Sequence, residues 1–266
     1  TGAASGIGRA LALDLAGRGA ELALSDVDET GLESTVKDAS ARGSVVTHAR
    51  VDVAERDAVH AWADRVVSDH GRVNLVVNNA GVALGTSIED MAYEDFEWLM
   101  GINFWGVVHG TKAFLPHLIA SGDGHVVNIS SVFGLIGVPS QGAYNAAKFA
   151  VRGYTECLRQ ELEIAGHPVS ATSVHPGGIK TNIARNARMN EGEGGFSRQE
   201  TADQFDRMAR TTPERAAQVI LEGVLRNRRR VLIGTDARII DWVQRLLPAA
   251  YQRGLAALAK RRAPMI

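Results

Sequence analysis

One cysteine in 266 residues, Cys157, excludes a disulfide framework and any multi-cysteine zinc or iron–sulfur site. That scarcity fits a reducing compartment, and a cytoplasmic place is expected. No stretch reaches the roughly 18 uninterrupted apolar residues of a spanning helix. Neither sign of charge is in excess: 29 basic against 30 acidic side chains leave a formal net charge of -1, so nothing global points to nucleic acid. The eight histidines are scattered without metal-ligand spacing, and no metal site is expected. Glycine, by contrast, is plentiful. Its 28 residues exceed the usual ~7% share without a one-in-three period, which assigns the surplus to turns and close backbone approaches.

With 45% hydrophobic and 22% charged residues the composition is that of a folded protein. Short apolar runs at 21–26, 48–53, 74–79, 125–130 and 169–176 alternate with segments of three-to-four-residue apolar spacing at 9–18, 56–70, 93–119 and 142–165. This alternation predicts an α/β fold: a doubly wound, Rossmann-like parallel sheet with helices on both faces, as a single domain over 1–235. The chain opens at Thr1 on a glycine-rich run that normally follows a strand. The first strand is therefore expected to be missing from the sequence, along with any targeting signal, and a fragment without it is expected to fold poorly. Residues 183–212, polar, charged and glycine-containing, are expected to form a substrate lid, and 229–234 a last strand.

Residues 236–266 read as a basic amphipathic helical tail, with Ile239, Ile240, Trp242, Val243, Leu246 and Leu247 on one face and a break at Pro248. Between 226 and 262, nine Arg and one Lys face two Asp, so this segment carries +8 and the remainder -9. Packing within a homo-oligomer, a homodimer or homotetramer, is favoured for the tail over contact with an anionic membrane surface. Nucleic acid is the weakest reading, since no aromatic interleaving or motif supports it.

The run Thr1-Gly2-Ala3-Ala4-Ser5-Gly6-Ile7-Gly8 stands directly before a helix-spaced segment. Its glycines permit a tight turn and a close approach to a pyrophosphate at a helix N-terminus, although such a turn alone is a weak signal. Asp26 ends the next apolar run, where a carboxylate can take both ribose hydroxyls of an adenosine. It would repel a 2′-phosphate, no Arg follows it immediately, and Ser5 rather than a base precedes Gly6, so NAD is favoured over NADP. Tyr144 and Lys148, four apart, share a helix face, and an ammonium beside a phenol stabilises the phenolate. Ser131 lies 13 residues earlier, just past an apolar run, where doubly wound folds bind ligands.

In this order and spacing the residues resemble the short-chain dehydrogenase/reductase family over essentially the whole chain. Within it, the segments SSVFG, AYNAAKFAVRG and VHPGGIKT look most like short-chain alcohol dehydrogenases of actinobacteria. The resemblance implies a cofactor loop at Gly2–Gly8, an adenine contact at Asp52 and Val53, and a structural turn at Asn78, Asn79, Ala80 and Gly81, of which the last three also border the cofactor. It implies an active site of Asn103, Ser131, Tyr144 and Lys148. It further implies a Pro-Gly segment with Pro176, Gly177, Ile179 and Thr181, whose Thr holds the nicotinamide carboxamide. Hydride is then expected to pass between NAD and a secondary alcohol or ketone, with Tyr144 as general acid or base and Ser131 donating to the substrate oxygen. Lys148 would hold the nicotinamide ribose and lower the Tyr144 pKa, while Asn103 would order a water linking Lys148 to solvent.

Simpler readings compete at several positions. Ser130 neighbours Ser131, but the 13-residue spacing to Tyr144 favours Ser131. His175 is expected as a structural hydrogen-bond partner, Cys157 as packed rather than reactive. Thr1 as an N-terminal nucleophile is disfavoured by its place in a glycine turn. Phe133, Val138, Pro139 and Ile183, with Met189, Phe196, Phe205 and Met208 of the lid, would make an apolar pocket and favour a lipophilic substrate. The alternatives are a hydroxysteroid or acetoin/diacetyl reductase, or a non-catalytic NAD-binding sensor.

Overall fold

Each apolar run meets a helix-spaced segment, and together they wind into two layers of helices around parallel strands. The structure, a computed structural model, describes residues 1–189, 203, 207 and 209–262, the last two of these by backbone alone. Much of the expected lid, including Phe196, Phe205 and Met208, lies outside the described residues. In chain order the elements are α1 (Gly6–Gly17), β1 (Leu22–Asp26), α2 (Glu29–Ser40), β2 (Val46–Arg50), α3 (Arg56–His70) and β3 (Leu75–Asn78). A two-residue strand β4 (Leu84–Gly85) precedes α4 (Tyr93–Met100), which runs through a π turn (Gly101–Trp105) into α5 (Gly106–Ser121). There follow β5 (Gly124–Ile129), a 3-10 turn (Val132–Gly134), α6 (Gly142–Ile164), β6 (Val169–Pro176) and β7 (Arg188–Met189). The chain continues through α7 (Pro213–Leu225), β8 (Arg230–Ile233), α8 (Thr235–Leu246) and α9 (Ala250–Arg262).

Local chemistry explains the boundaries. The Asp28 carboxylate caps α2 by accepting from Gly31 N (3.1 Å), and the Thr212 hydroxyl caps α7 by accepting from Arg215 N (3.2 Å), ahead of Pro213 at the first turn. Helix α3 ends at Gly71, whose φ of 75° is the left-handed cap that glycine adopts without strain. The expected break at Pro248 falls between α8 and α9.

Four strands pair in parallel in the order β3-β5-β6-β8, and β1 pairs in parallel with β2. The first residues of the chain lie between these two groups: Ala3 N donates to Ser25 O (3.1 Å) and Thr1 N to Val77 O (3.0 Å). Alternation along the central strands sends Val126 and Ala171 to a core with α3, α5 and α6, where Trp62 meets Phe114 edge-on at 5.3 Å. Val127, Ile129 and Val174 point to the other layer, against Ala10 and Leu11 of α1 and Ala216 and Ile220 of α7. Each fully buried Leu, Ile or Val contributes about 1.5–3 kcal/mol. The sheet is thus covered on both faces, and the strands deliver Asp26, Asn78, Ile129 and Pro176 at their C-terminal ends, the edge at which such folds bind ligands.

Candidate active site

The loop before α1 is closed so tightly that only glycine fits. A Cβ on Gly8 would sit 2.0 Å from Gly2 O, and one on Gly2, at φ +66°, 2.8 Å from Asn79 Nδ2. Asn79 Nδ2 donates to Thr1 O (3.0 Å) and Gly2 O (3.2 Å), while the Thr1 hydroxyl accepts from Asn79 N and Ala80 N, both at 3.1 Å. The turn at 79–81 is therefore a clamp on the glycine loop. Ser5, exposed, begins α1 without capping it by its side chain, which leaves the first helical amides at Gly6, Ile7 and Gly8 for another acceptor. Facing Gly6, at φ +54°, is Thr181: a Cβ on Gly6 would lie 3.2 Å from Thr181 Cγ2. A cradle with free helix-end amides, walled by a threonine, fits a dinucleotide pyrophosphate.

Asp26 closes the far end. Its two oxygens accept from Ala4 N (2.8 Å) and Asp28 N (3.0 Å), so the carboxylate is fixed beside the glycine loop. Arg50, exposed at the end of β2, stands opposite Asp26 in the strand register. Its proximity is invisible in the sequence, where 24 positions separate the two. Asp52 and Val53 follow β2: Asp52 accepts from Ala54 N (3.0 Å), and buried Val53 receives His109 Nδ1 on its carbonyl (3.1 Å).

The other expected residues converge past β5. Ser131 accepts from Phe133 N (3.1 Å) and hydrogen-bonds the Tyr144 phenol. Burial pushes that phenol up to about 12, with the Ser131 bond acting in the opposite direction. Lys148 Nζ lies 5.5 Å from the Tyr144 ring centroid and donates to Ile129 O (3.0 Å), and burial brings its ammonium down to about 8. The influences acting on the Tyr144 phenol are its burial and, in the opposite direction, its bond to Ser131, while the Lys148 ammonium lies against the Ile129 carbonyl and the ring. The buried Asn103 amide accepts from Val82 N and donates to Val82 O, both at 2.8 Å, so it fixes the backbone just after Gly81. It stands in the π turn between α4 and α5, an irregularity common at functional sites.

Several neighbours hold this constellation in place. The Ser130 hydroxyl donates to Lys148 O (2.7 Å), a structural duty that separates it from Ser131. His175 is buried, with Nδ1 donating to Ser131 O (2.9 Å) and Nε2 taking the Ser173 hydroxyl (3.0 Å); burial lowers it to about 4, so it stays neutral. Pro176 ends β6, Gly177 and Gly178 follow against Asp236, and Ile179 bridges to Thr211. Cys157 proves exposed rather than packed. Its hydrogen bond to Glu161 (3.3 Å) raises the thiol pKa and so disfavours the reactive thiolate.

Three contributors escaped sequence reasoning. Asp236, at the start of α8, accepts from Gly178 N (2.7 Å). Asn145, beside Tyr144, accepts from Val138 N and donates to Phe133 O and Ile136 O, shaping the loop over the site. The Tyr251 hydroxyl of α9 accepts from Gly137 N of the same loop (3.0 Å). Adjacency to Tyr144 was the one available signal, for Asn145; nothing local marks the other two.

Known proteins share this sequence and fold. The sequence model of the short chain dehydrogenase family matches residues 1–192. The putative oxidoreductase SadH of Mycobacterium tuberculosis is 56% identical over 258 residues, covering 97% of this chain and 92% of that protein. A short chain dehydrogenase/reductase from Burkholderia phymatum, solved in complex with NAD, superposes with a TM-score of 0.86 at 33% identity, over 92% of this chain and 91% of that one. A short chain dehydrogenase from Mycobacterium paratuberculosis, bound to NAD, does so at 0.75 and 26% identity, over 87% and 93%.

Proposed function

The chain belongs to the short-chain dehydrogenase/reductase family of oxidoreductases, and from that premise we propose that it uses NAD to interconvert a lipophilic secondary alcohol and its ketone. The observation that carries the reading is the meeting of Ser131, Tyr144 and Lys148 beside the glycine cradle. When bound, the nicotinamide cofactor would supply the hydride acceptor for oxidation as NAD and the hydride donor for reduction as NADH. Tyr144 donates its phenolic proton to the developing alkoxide in reduction and takes it back in oxidation. Ser131 donates to the same oxygen and thereby stabilises charge there. Lys148 holds the ribose hydroxyls and keeps a positive charge beside the Tyr144 ring, and Asn103 positions the turn at Gly81 and Val82 next to it. Gly2, Ser5, Gly6, Ile7 and Gly8 cradle the pyrophosphate, and Asp26 takes the adenosine ribose, which favours NAD over NADP. Asp52 and Val53 border the adenine, while Pro176, Gly177, Ile179 and Thr181 border the nicotinamide.

A lipophilic substrate is supported by Phe133, edge-on to the Tyr144 ring at 5.9 Å, by half-buried Val138 in the loop before α6, and by the apolar side chains Ile183 and Met189 at the start of the lid segment. Residues 183–212 act as the lid in this reading. A cytoplasmic homodimer or homotetramer belongs to it too, supported by exposed Trp105 and Phe149 on the adjoining π turn and α6.

The test is nicotinamide absorbance with NAD and NADP, across secondary alcohols and ketones of rising size, steroid and acetoin-type ketones included. Turnover with NAD that grows with chain length is expected, and Tyr144→Phe should lose about 100-fold or more while still binding NAD. Binding of NAD without turnover of any alcohol or ketone would instead favour a sensor.

A further inference from the structure

Helix α8 wears its amphipathic pattern the wrong way round for a helix packed on its own domain. Its buried side is Ala237 and Asp241, and Asp241 is ion-paired with Arg230 (3.2 Å) and Arg245 (2.8 Å). A polar contact therefore docks the helix, and the apolar arc is left outside. Trp242, Leu246 and Ile239 are 66, 68 and 58% exposed, with Val243 and Leu247 also open to solvent. The spacing of 239, 242, 243 and 246 places these side chains on one continuous stripe. Among the described residues the chain's own domain leaves these five side chains exposed.

Charge decides what can cover the stripe. Over 235–262, five Arg and one Lys face two Asp, a net +4, and Arg238, Arg253 and Lys260 are exposed along the two helices. A second copy laid symmetrically on this face would bring another +4 against the first, in a contact that excludes water. An anionic bilayer offers both an apolar boundary for the stripe and negative headgroups for the basic residues, and Trp242 suits that interface. Among the described residues no helix is long and apolar enough to cross a membrane.

We propose that α8 and α9 form a peripheral docking element for the surface of an anionic lipid bilayer, with Ile239, Trp242 and Leu246 dipping into the headgroup boundary. The element is tied to the candidate site at two points, Asp236 to Gly178 N (2.7 Å) and Tyr251 to Gly137 N (3.0 Å). Docking would bring the site beside the lipid surface. Docking is independent of the reaction, and its readout needs no turnover.

The experiment sediments the full chain with phosphatidylcholine vesicles, with and without phosphatidylglycerol, at low and raised salt. Binding at least about tenfold stronger with phosphatidylglycerol is expected, weakening as salt screens the charges. The Trp242→Ser, Leu246→Ser double variant should lose it. Arg238→Gln with Arg253→Gln, both at exposed positions and so sparing the fold, should weaken it about 30-fold. Equal binding to both vesicle types, or unchanged binding by either double variant, overturns the proposal. So does sedimentation velocity in which Trp242→Ser, Leu246→Ser splits a larger assembly into a smaller one, since the stripe would then be an interface between copies.

Discussion

At the scale of the residue, the same burial acts with opposite sign on two side chains one helical turn apart. It pushes the Tyr144 phenol up to about 12 and brings the Lys148 ammonium down to about 8, because each loses stability in its charged form. At neutral pH the phenol is then protonated and the ammonium still charged, a combination set for giving a proton to a ketone. Reduction should be flat from about pH 6 to 7 and fall as pH rises through about 8, where Lys148 loses its charge. A pH profile of kcat/KM for reduction checks this; a rate that climbs steadily to pH 9 would refute the role of the charged lysine. Asp26 allows a second residue-scale prediction. Arg50 sits one strand across from it, about 4.8 Å away in strand spacing, and is suited to a 2′-phosphate once the repelling carboxylate is gone. Asp26→Asn should therefore lower the NAD-to-NADP ratio of kcat/KM by about tenfold or more. An unchanged ratio would remove Asp26 from the ribose.

Elements show how much of this was legible beforehand and why the rest was not. The run at 169–176 and the segment 56–70 coincide with β6 and α3, because apolar periodicity and their flanking turns coincide there. The expected strand at 48–53 instead forms at Val46–Arg50, and its last residues leave the ladder where Asp52 turns back to accept from Ala54 N. One helix was expected over 93–119, but the π turn at Gly101–Trp105 interrupts it around Asn103, and periodicity cannot register a single extra residue per turn. Ser131, Tyr144 and Lys148 were readable because two of them share one helix and the third follows a strand end. Asp236 was not, since its partner Gly178 is 58 residues away and only the return of β8 into α8 unites them. Its carboxylate also lies under Gly177, where a Cβ would meet it at 2.2 Å, so it shapes the whole Pro-Gly segment. Asp236→Ala should raise the KM for NAD about tenfold, the effect of losing one charge-assisted hydrogen bond, with kcat less affected. Steady-state kinetics at saturating alcohol read this split, and a fall in kcat alone would assign Asp236 elsewhere.

For the molecule as a whole, the parallel sheet carries two buried imidazoles that tie its stability to pH. His125 on β5 donates from Nε2 to Thr172 (2.8 Å), whose hydroxyl donates onward to Arg228 O (2.6 Å), while His175 on β6 is held between Ser131 and Ser173. Burial lowers both to about 4 from an ordinary 6.5. Between those values the unfolded chain binds protons that the folded one refuses, so stability falls as pH drops from about 6.5 to 4. Each imidazole removes at most about 3 kcal/mol over that window. The carboxylates act in a lower range: Glu156 is pushed up by partial burial but held down overall by Arg230 and Arg152, so its loss belongs below the usual carboxylate pKa. The two contributions can therefore be separated by pH. Urea unfolding at pH 7, 5.5 and 4.5 should show a falling midpoint, and His125→Gln, which retains an amide donor for Thr172, should flatten roughly half of that fall. If the variant unfolds with the same pH dependence as the parent, His125 is not a source of the acid sensitivity, and the sheet loses its stability through the carboxylates that clamp α6, β8 and α8 together.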